Sequence, residues 1–305
     1  MARTTHPADG TRGRRRAAVL GAALGGCALV AASAVPAAAH PGSPGHGTDY
    51  VALGDSYTSG PGIPAQVDAN CARSDHNYPS LVAAGRKTST FTDVSCAGAT
   101  TAEMWQAQGT NGPQLDAVRR DTDLVTLQIG GNDVGFGPII ETCARLAAQD
   151  PAGNPCERSY EAAGYDRLTL AIAQTAPKVA RVLRAVHARA PHARVIVVGY
   201  PDLLPDDGIG CFPQVPFAQG DFVYLRDTEK RLNLMLRLVA AVNRAAYVDT
   251  YGPTVGHDMC KSPADRWIEP LRPAAPAAPA HPNARGEQAM AQAVSNRLDR
   301  HRGRG

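Results

Sequence analysis

The chain has 305 residues, of which 44% are hydrophobic and 19% are charged, and its formal net charge is +3. This length and apolar content exclude a disordered chain and a mini-protein, and they leave room for one sizeable core with at most a second small domain. The small net charge excludes a strongly basic nucleic-acid-binding surface, so we expect no nucleic-acid partner.

The first 39 residues have the organisation of an export signal. Residues 12–16 are arginine-rich, residues 17–35 are apolar with small side chains throughout, and residues 37–39 are three alanines of the kind after which signal peptidase cleaves. Five arginines and one aspartate lie before residue 40, so the charges of the remaining chain nearly balance. The arginine pairs leave open whether export follows the general secretory route or the twin-arginine route.

The alternative to a cleaved signal is a retained membrane anchor. The apolar stretch is rich in glycine and alanine and lacks a long run of large apolar side chains, which argues against an anchor. Cys27 lies in a sequence that weakly resembles a lipoprotein cleavage site, but more apolar sequence follows it. We therefore expect a secreted chain without stable membrane insertion, with a flexible lead-in over residues 40–47 and one folded domain over residues 48–305.

Short β-rich runs alternate with helical stretches along this domain. Five runs are candidate strands, at residues 50–53, 91–94, 123–129, 194–198 and 247–249. Apolar residues recur every three or four positions over residues 165–190 and 221–246, and a last helical segment covers residues 285–298. Strands separated by helices are typical of parallel βαβ units, so we expect a three-layer α/β/α sandwich of flavodoxin-like type around a central parallel sheet. Ligands bind at the carboxyl ends of the strands in such sheets.

Six of the seven cysteines follow the export signal, and an even number in an exported chain indicates three disulfides. A zinc site is the alternative, but no two of the six are separated by only two to four residues, as zinc ligand pairs usually are. We expect each cysteine to pair with its nearest neighbour along the chain, and the second pair closes the shortest loop. The expected pairs are Cys71 with Cys96, Cys143 with Cys156, and Cys211 with Cys260.

Residues suited to catalysis follow two of the candidate strands. The first strand runs into GDSYTSG, residues 54–60, where a glycine permits a tight turn and the hydroxyl of Ser56 can project into a cleft. The strand at residues 123–129 runs into GGND, residues 130–133, where the backbone can approach a ligand and the amide of Asn132 can donate to a developing oxyanion.

Two further segments complete a set of four. AGATT, residues 97–101, offers a backbone N–H donor, and HPN, residues 281–283, places His281 just before the last helical segment. Each motif alone is common in turns and loops. Their order along one α/β domain is what makes the set informative.

With these four blocks the chain resembles the SGNH hydrolases, the GDSL-type esterases and lipases, and in particular their secreted actinobacterial members. The resemblance runs from residue 49 to residue 298 and makes residues 48–305 one catalytic domain with the SGNH hydrolase fold. It implies a nucleophile with a backbone oxyanion donor, a second backbone donor, a side-chain donor and a general base, which are Ser56, Gly98, Asn132 and His281 in that order. The reaction that it implies needs no metal and no cofactor.

Two details of this assignment stay open. Ala97 replaces Gly98 as a donor if the loop is shifted by one residue. Many family members carry an aspartate three residues before the histidine, but Ala278 stands there. We expect a Ser-His dyad in which a main-chain carbonyl, that of Ala278, accepts the imidazole N–H. A more distant carboxylate, Asp265 or Glu269, is the alternative that would complete a triad.

Other aromatic and ionisable residues have simpler explanations. His257, which precedes Asp258, is a rival base, but the position beside Cys260 favours a structural role near the disulfide. Trp105 and Trp267 are the only tryptophans, and we expect packing roles for both rather than a place at the rim of a substrate groove.

The sequence therefore predicts a secreted, monomeric serine hydrolase that cleaves carboxylic esters, most simply lipid acyl esters. A phospholipase and a carbohydrate acetyl esterase are compatible with the same scaffold, although an aromatic content of 5% gives no sign of a sugar-stacking surface. A non-catalytic extracellular binding protein is the alternative from another class. The joint presence of Ser56, Asn132 and His281 argues against it.

Overall fold

The computed structural model describes residues 47–302, with side chains up to residue 300. The predicted export signal and residues 40–46 of the lead-in lie outside the described residues.

The core of the domain is a five-stranded, entirely parallel sheet. Its strands, together with the two strands of a small antiparallel hairpin, are β1 (Thr48–Gly54), β2 (Gln66–Asp68), β3 (Arg73–Ser74), β4 (Thr88–Asp93), β5 (Leu124–Gln128), β6 (Arg194–Val198) and β7 (Ala246–Val248). The main sheet has the order β4-β1-β5-β6-β7, which is the flavodoxin-like order of a doubly wound fold. The predicted fold class is therefore confirmed, and each of the five expected strands overlaps an observed one.

Eight α-helices connect or flank the strands in the described part of the chain. They are α1 (Ser56–Ser59), α2 (Tyr78–Ala84), α3 (Gly131–Val134), α4 (Phe136–Ala147), α5 (Pro155–Glu161), α6 (Arg167–Arg189), α7 (Asp221–Val242) and α8 (Ala284–Arg302). Short 3-10 helices cover Thr101–Met104, Gln114–Ala117 and Gly252–Thr254.

The two faces of the sheet are covered by different helices. Val51 and Leu53 of β1 belong to a core cluster that includes residues of α6 and α7. Tyr50 and Ala52, which alternate with them, belong to a second cluster with α2 and α8. Because both faces are buried, the strands are almost uniformly apolar, and this made them recognisable in the sequence.

The long predicted helices differ from the observed ones mainly at their ends. The helix expected over residues 221–246 ends at Val242, because Arg244 adopts a left-handed φ of 58° and Ala246 already belongs to β7. The sequence pattern did not predict α4 and α5, which lie between β5 and α6. A disulfide between Cys143 of α4 and Cys156 of α5 joins these two helices, which are too short to be stable on their own.

The six cysteines of the described domain form three disulfides between nearest neighbours along the chain, in the arrangement expected from the sequence. Cys71 is bonded to Cys96, Cys143 to Cys156, and Cys211 to Cys260.

Candidate active site

Ser56 lies where β1 runs into α1. Gly54 pairs with Gln128 at the last register position between β1 and β5, so the serine follows the edge of the sheet directly. Asp55 caps α1 through its side chain, which accepts the N–H of Tyr57 at 2.9 Å. Ser56 is thus the first helical residue, and its own N–H has no intrahelical acceptor. That N–H is therefore left to donate to a bound group.

His281 reaches Ser56 from the far end of the chain. Its Nε2 lies 2.7 Å from the Ser56 Oγ, and its Nδ1 lies 2.7 Å from the carbonyl oxygen of Pro279. These partners assign the ring proton to Nδ1, so that Nε2 accepts from the serine hydroxyl. Burial lowers the pKa of His281 below its ordinary value, and the Pro279 carbonyl opposes this effect. The imidazole is therefore neutral at neutral pH, as a general base must be.

The carbonyl that accepts the His281 N–H belongs to Pro279, and the expectation that Ala278 supplies it is wrong. The Ala278 N–H donates to the Pro61 carbonyl at 2.8 Å, which holds this segment against the loop after α1. Ala280 then adopts a left-handed φ of 58°. This reversal of the backbone points the carbonyl of Pro279 at the imidazole ring of His281. Alanine rarely adopts a positive φ, so the sequence carries no sign of the turn.

Within residues 47–302, no carboxylate is hydrogen-bonded to His281. The Glu269 carboxylate accepts from Arg266 at 3.1 Å and from the Asn283 amide at 2.9 Å. Asp265 accepts a serine hydroxyl three residues earlier at 2.7 Å. Both carboxylates that the sequence left open as distant triad members are therefore bonded elsewhere.

His257 and the two tryptophans make contacts outside this constellation. The His257 ring stacks on Trp267 with 3.5 Å between centroids, and its Nδ1 lies 2.6 Å from the carbonyl oxygen of Asp265. Trp105 packs against the guanidinium of Arg181, 4.4 Å from the ring centroid. The structure thus brings His281, and not His257, to Ser56.

The loop that carries Gly98 lies against the turn that carries Asn132. The Asn132 Nδ2 donates to the Ala99 carbonyl at 2.9 Å, which leaves its second N–H for another acceptor. The Ala97 N–H is already bonded to the Cys71 carbonyl at 2.9 Å. By contrast, the Gly98 N–H has no acceptor among residues 47–302. These contacts favour Gly98 over Ala97 as the second backbone donor.

An apolar groove that opens to solvent starts beside Ser56 and Asn132. Its walls come from α4, from the segment between β6 and α7, and from α7 itself. The larger apolar side chains that line it are Phe136, Ile139, Ile140, Leu203, Leu204, Phe217, Leu225, Leu232 and Met259. Neither tryptophan is among the lining residues, which fits the packing roles expected for both. The groove can hold a hydrocarbon chain whose reacting end lies at the serine.

The model of the GDSL-like lipase/acylhydrolase family matches residues 52–289, which carry all four motifs. The chain belongs to this family. This GDSL-like hydrolase is 42% identical over 281 residues to Lipase 2 of Streptomyces coelicolor, an alignment that covers 89% of this chain and 92% of that protein. The predicted family is therefore confirmed, and the chain is a carboxylic ester hydrolase of the lipase and esterase class.

Solved structures of two Streptomyces enzymes share its fold. Phospholipase A1 from Streptomyces albidoflavus NA297 superposes with a TM-score of 0.70 at 27% identity, over 83% of this chain and 99% of that one. The extracellular lipase of Streptomyces rimosus superposes with a TM-score of 0.68 at 28% identity, over 82% of this chain and 99% of that one. The architecture of the GDSL-like hydrolase is thus that of solved lipid-cleaving enzymes.

Two aromatic side chains of the GDSL-like hydrolase surround the imidazole of His281. The Tyr57 ring lies 4.8 Å from it, centroid to centroid, and the Tyr57 hydroxyl donates to the Ala280 carbonyl at 2.6 Å. Phe136 presents an edge-to-face contact to the same imidazole at 6.1 Å. These contacts cover the ring on two sides and reduce its contact with water, which is the cause of its lowered pKa.

Sequence reasoning missed Tyr200, which lies at the carboxyl end of β6. Its hydroxyl donates to the Asp55 carboxylate at 2.5 Å and accepts the Gly131 N–H at 2.9 Å. The rule that ligand sites lie at carboxyl ends of parallel strands would have directed attention to this residue, because it follows the strand predicted at residues 194–198 by two positions.

Within the described part of the chain, no group of three or more histidine, cysteine or acidic side chains has the arrangement needed to hold a metal ion. No helix among residues 47–302 combines the length and the apolar character needed to cross a bilayer.

Proposed function

We propose that this hydrolase cleaves lipid acyl esters with Ser56 as nucleophile and His281 as general base. The observation that carries the proposal is the 2.7 Å contact between the His281 Nε2 and the Ser56 Oγ. As the serine oxygen attacks the ester carbonyl, its proton passes to Nε2, and the imidazolium then protonates the leaving alcohol. Water, activated by the same imidazole, attacks the acyl-enzyme and releases the acid.

The base works as a dyad, with the Pro279 carbonyl in the place of a carboxylate. That carbonyl accepts the Nδ1–H at 2.7 Å and so selects the tautomer that the first proton transfer requires. A neutral carbonyl stabilises the imidazolium less than a carboxylate does. The contacts of the Tyr57 and Phe136 rings with the imidazole add to its orientation.

Three N–H donors stabilise the tetrahedral oxyanion in this proposal: the backbone N–H groups of Ser56 and Gly98 and the side-chain amide of Asn132. The free N–H groups of Ser56 and Gly98 support these roles, as does the contact between Asn132 and the loop that carries Gly98. Removal of one such donor costs about 3 kcal/mol of transition-state stabilisation in serine hydrolases.

The apolar groove supports a lipid acyl chain as the occupant, since its walls offer little to a hydrophilic acyl group. The similarity to Lipase 2 of Streptomyces coelicolor and to a phospholipase A1 agrees with a lipid substrate. Both triacylglycerols and phospholipids fit this class. The three disulfides and the signal-like N-terminus support secretion of the protein, and we propose that it acts as a monomer.

The test is a substrate panel with matched variants. Nitrophenyl esters from acetate to palmitate, triacylglycerol, phospholipid and acetyl-xylan are offered to the wild type and to Ser56→Ala, His281→Ala and His257→Ala. We expect cleavage of the lipid esters, a loss of at least about a thousandfold in the Ser56 and His281 variants, and a nearly unchanged rate in His257→Ala. Activity retained by Ser56→Ala, or cleavage of acetyl-xylan alone, would contradict the proposal.

A further inference from the structure

A chain of hydrogen bonds joins the carboxyl ends of three neighbouring strands behind the candidate nucleophile. It runs from the Gly131 N–H after β5, through the Tyr200 hydroxyl after β6, to the Asp55 carboxylate after β1. The three strands are adjacent in the sheet, in the order β1-β5-β6. The bond lengths are 2.9 Å and 2.5 Å, and all three residues border the groove. These hydrogen bonds therefore connect the carboxyl ends of the three strands beside the candidate active site.

Tyr200 is held from behind, so its hydroxyl has a defined position. The Asn233 side chain accepts the Tyr200 N–H at 2.8 Å and donates to the Tyr200 carbonyl at 2.9 Å. The Tyr200 ring also makes an edge-to-face contact with the Tyr57 ring, with 5.2 Å between the centroids. Only 3% of the residue is exposed, so the hydroxyl is largely shielded from solvent and is hydrogen-bonded to Gly131 and Asp55 instead.

Each end of this chain of bonds lies one residue before a proposed member of the site. Asp55 precedes Ser56, and Gly131 precedes Asn132. The approach at Gly131 is close, because a Cβ built there would lie 3.1 Å from the Tyr200 hydroxyl oxygen. Glycine is the residue that allows this distance. The position of the Tyr200 hydroxyl thus sets the spacing between the turn of the nucleophile and the turn of the amide donor.

The charge on Asp55 gives the Tyr200 hydroxyl a second effect. Burial raises the pKa of Asp55 to about 7, and the hydrogen bond from Tyr200 opposes that rise. The hydrogen bond from Tyr200 therefore favours the charged carboxylate, which is the form that accepts from both the Tyr200 hydroxyl and the Tyr57 N–H. Through this charge Tyr200 also helps to hold the turn that carries Ser56.

We propose that Tyr200 is a positioning residue for ester hydrolysis, which holds the Ser56 turn and the Asn132 turn at the distance that lets both act on one carbonyl group. The proposal rests on the roles proposed above for these two residues. Tyr200 acts through Asp55 and Gly131 and takes no part in bond making or breaking.

The test compares Tyr200→Phe with Tyr50→Phe. Tyr50 is a matched control, because it is also buried and its hydroxyl also forms a long-range hydrogen bond, 2.8 Å from Thr126, but it lies away from the groove. On a soluble nitrophenyl ester we expect Tyr200→Phe to lower kcat by about tenfold or more with KM changed less than twofold. A boronic acid that mimics the tetrahedral intermediate should bind more weakly by the same factor. Tyr50→Phe should leave both quantities near wild type.

Two further variants keep the proposal testable if Tyr200→Phe folds poorly. Gly131→Ala should push the Tyr200 hydroxyl away and reproduce the loss in kcat. Asp55→Asn combined with Tyr200→Phe should lose no more than the larger single effect, because both substitutions break the same chain of bonds.

Three results would overturn the proposal: an unchanged kcat in Tyr200→Phe, a rise in KM alone, or an equal loss of kcat in Tyr50→Phe. Additive losses in the double variant would also overturn it. Failure of the proposed function has a different signature, because Ser56→Ala would then retain the wild-type rate.

Discussion

At the scale of single residues, the proposed base of this hydrolase is oriented by a main-chain carbonyl. The Pro279 oxygen accepts the His281 N–H, and both nearby carboxylates serve other partners. Glu269 in particular bonds to Asn283, whose side-chain oxygen accepts the Arg285 N–H at the start of α8. The acidic side chains near the histidine thus build the segment that carries it, and the carbonyl alone selects the tautomer.

We expect Glu269→Gln and Asp265→Asn to retain kcat within about tenfold of wild type, since neither carboxylate contacts His281. Removal of the aspartate of a true triad costs about ten-thousandfold. Steady-state kinetics on a soluble ester, with circular dichroism to verify folding, separate the two cases. A loss of a thousandfold or more in a folded variant would mean that a carboxylate completes the site.

The pH profile gives a second residue-scale prediction. Because burial lowers the pKa of His281, the acid limb of kcat/KM should have its midpoint below the ordinary histidine value of about 6.5. Activity is lost below that midpoint, since protonated Nε2 cannot accept the serine proton. Phe136→Ala opens one side of the ring to water and should move the midpoint upward. A wild-type midpoint above 7 would contradict the geometry.

At the scale of elements, contacts between two segments distant in sequence hold the proposed nucleophile and the proposed base next to each other. The loop after α1 accepts the Ala278 N–H through Pro61, and the two segments touch where Gly62 faces Ala277. Gly62 has a φ of 80°, and a Cβ there would lie 2.7 Å from the Ala277 carbonyl carbon. The contact between these segments therefore tolerates no side chain at this position.

Gly62→Ala should lower kcat/KM by about tenfold or more, because the added methyl displaces the segment that carries His281. Gly164→Ala is the matched control. Its φ of 81° imposes a similar backbone strain, but nothing lies within 4 Å of the new Cβ. Both variants should lose about 1 kcal/mol or more of stability by thermal unfolding, and only Gly62→Ala should lose activity. Equal activity in the two variants would argue against a role of the contact between Gly62 and Ala277 in placing His281.

At the scale of the whole molecule, a buried acidic side chain makes stability depend on pH. Asp202 lies four residues after the end of β6 and is fully buried. Burial raises its pKa to about 7, and the like charges of Asp258 and Asp206 add to the rise. In the unfolded chain the pKa returns to about 3.9. The folded protein therefore binds a proton between these two values that the unfolded chain releases, and its stability falls as the pH rises from about 4 to about 7.

Asp202→Asn should remove the part of this pH dependence that comes from Asp202, and leave the part that comes from the raised pKa of Asp55. Relative to wild type, the variant should gain about 2–4 kcal/mol of unfolding free energy between pH 4 and pH 8. Denaturant unfolding of both proteins at the two pH values measures the gain. Asp207→Asn, an exposed carboxylate in the same segment, serves as the control and should change little. If the unfolding free energies of Asp202→Asn and wild type differ by the same amount at both pH values, Asp202 does not have a raised pKa in the folded protein.

The sequence by itself determined the family, the five strands of the main sheet, the three longest helices and three members of the proposed site. Ser56 and Asn132 follow strands whose apolar runs are legible because both faces of the sheet are buried, and His281 stands in a short motif before α8. These features depend on neighbouring residues, so a linear pattern is sufficient to find them.

Only the tertiary structure decided the acceptor behind the base and the place of Tyr200. The first depends on a left-handed φ at Ala280, which alanine does not favour and which the hydrogen bond from the Tyr57 hydroxyl to the Ala280 carbonyl stabilises. The second depends on three strand ends, far apart in the chain, that meet at one sheet edge. Both are consequences of packing between distant segments, and no local pattern of residue types encodes such distances.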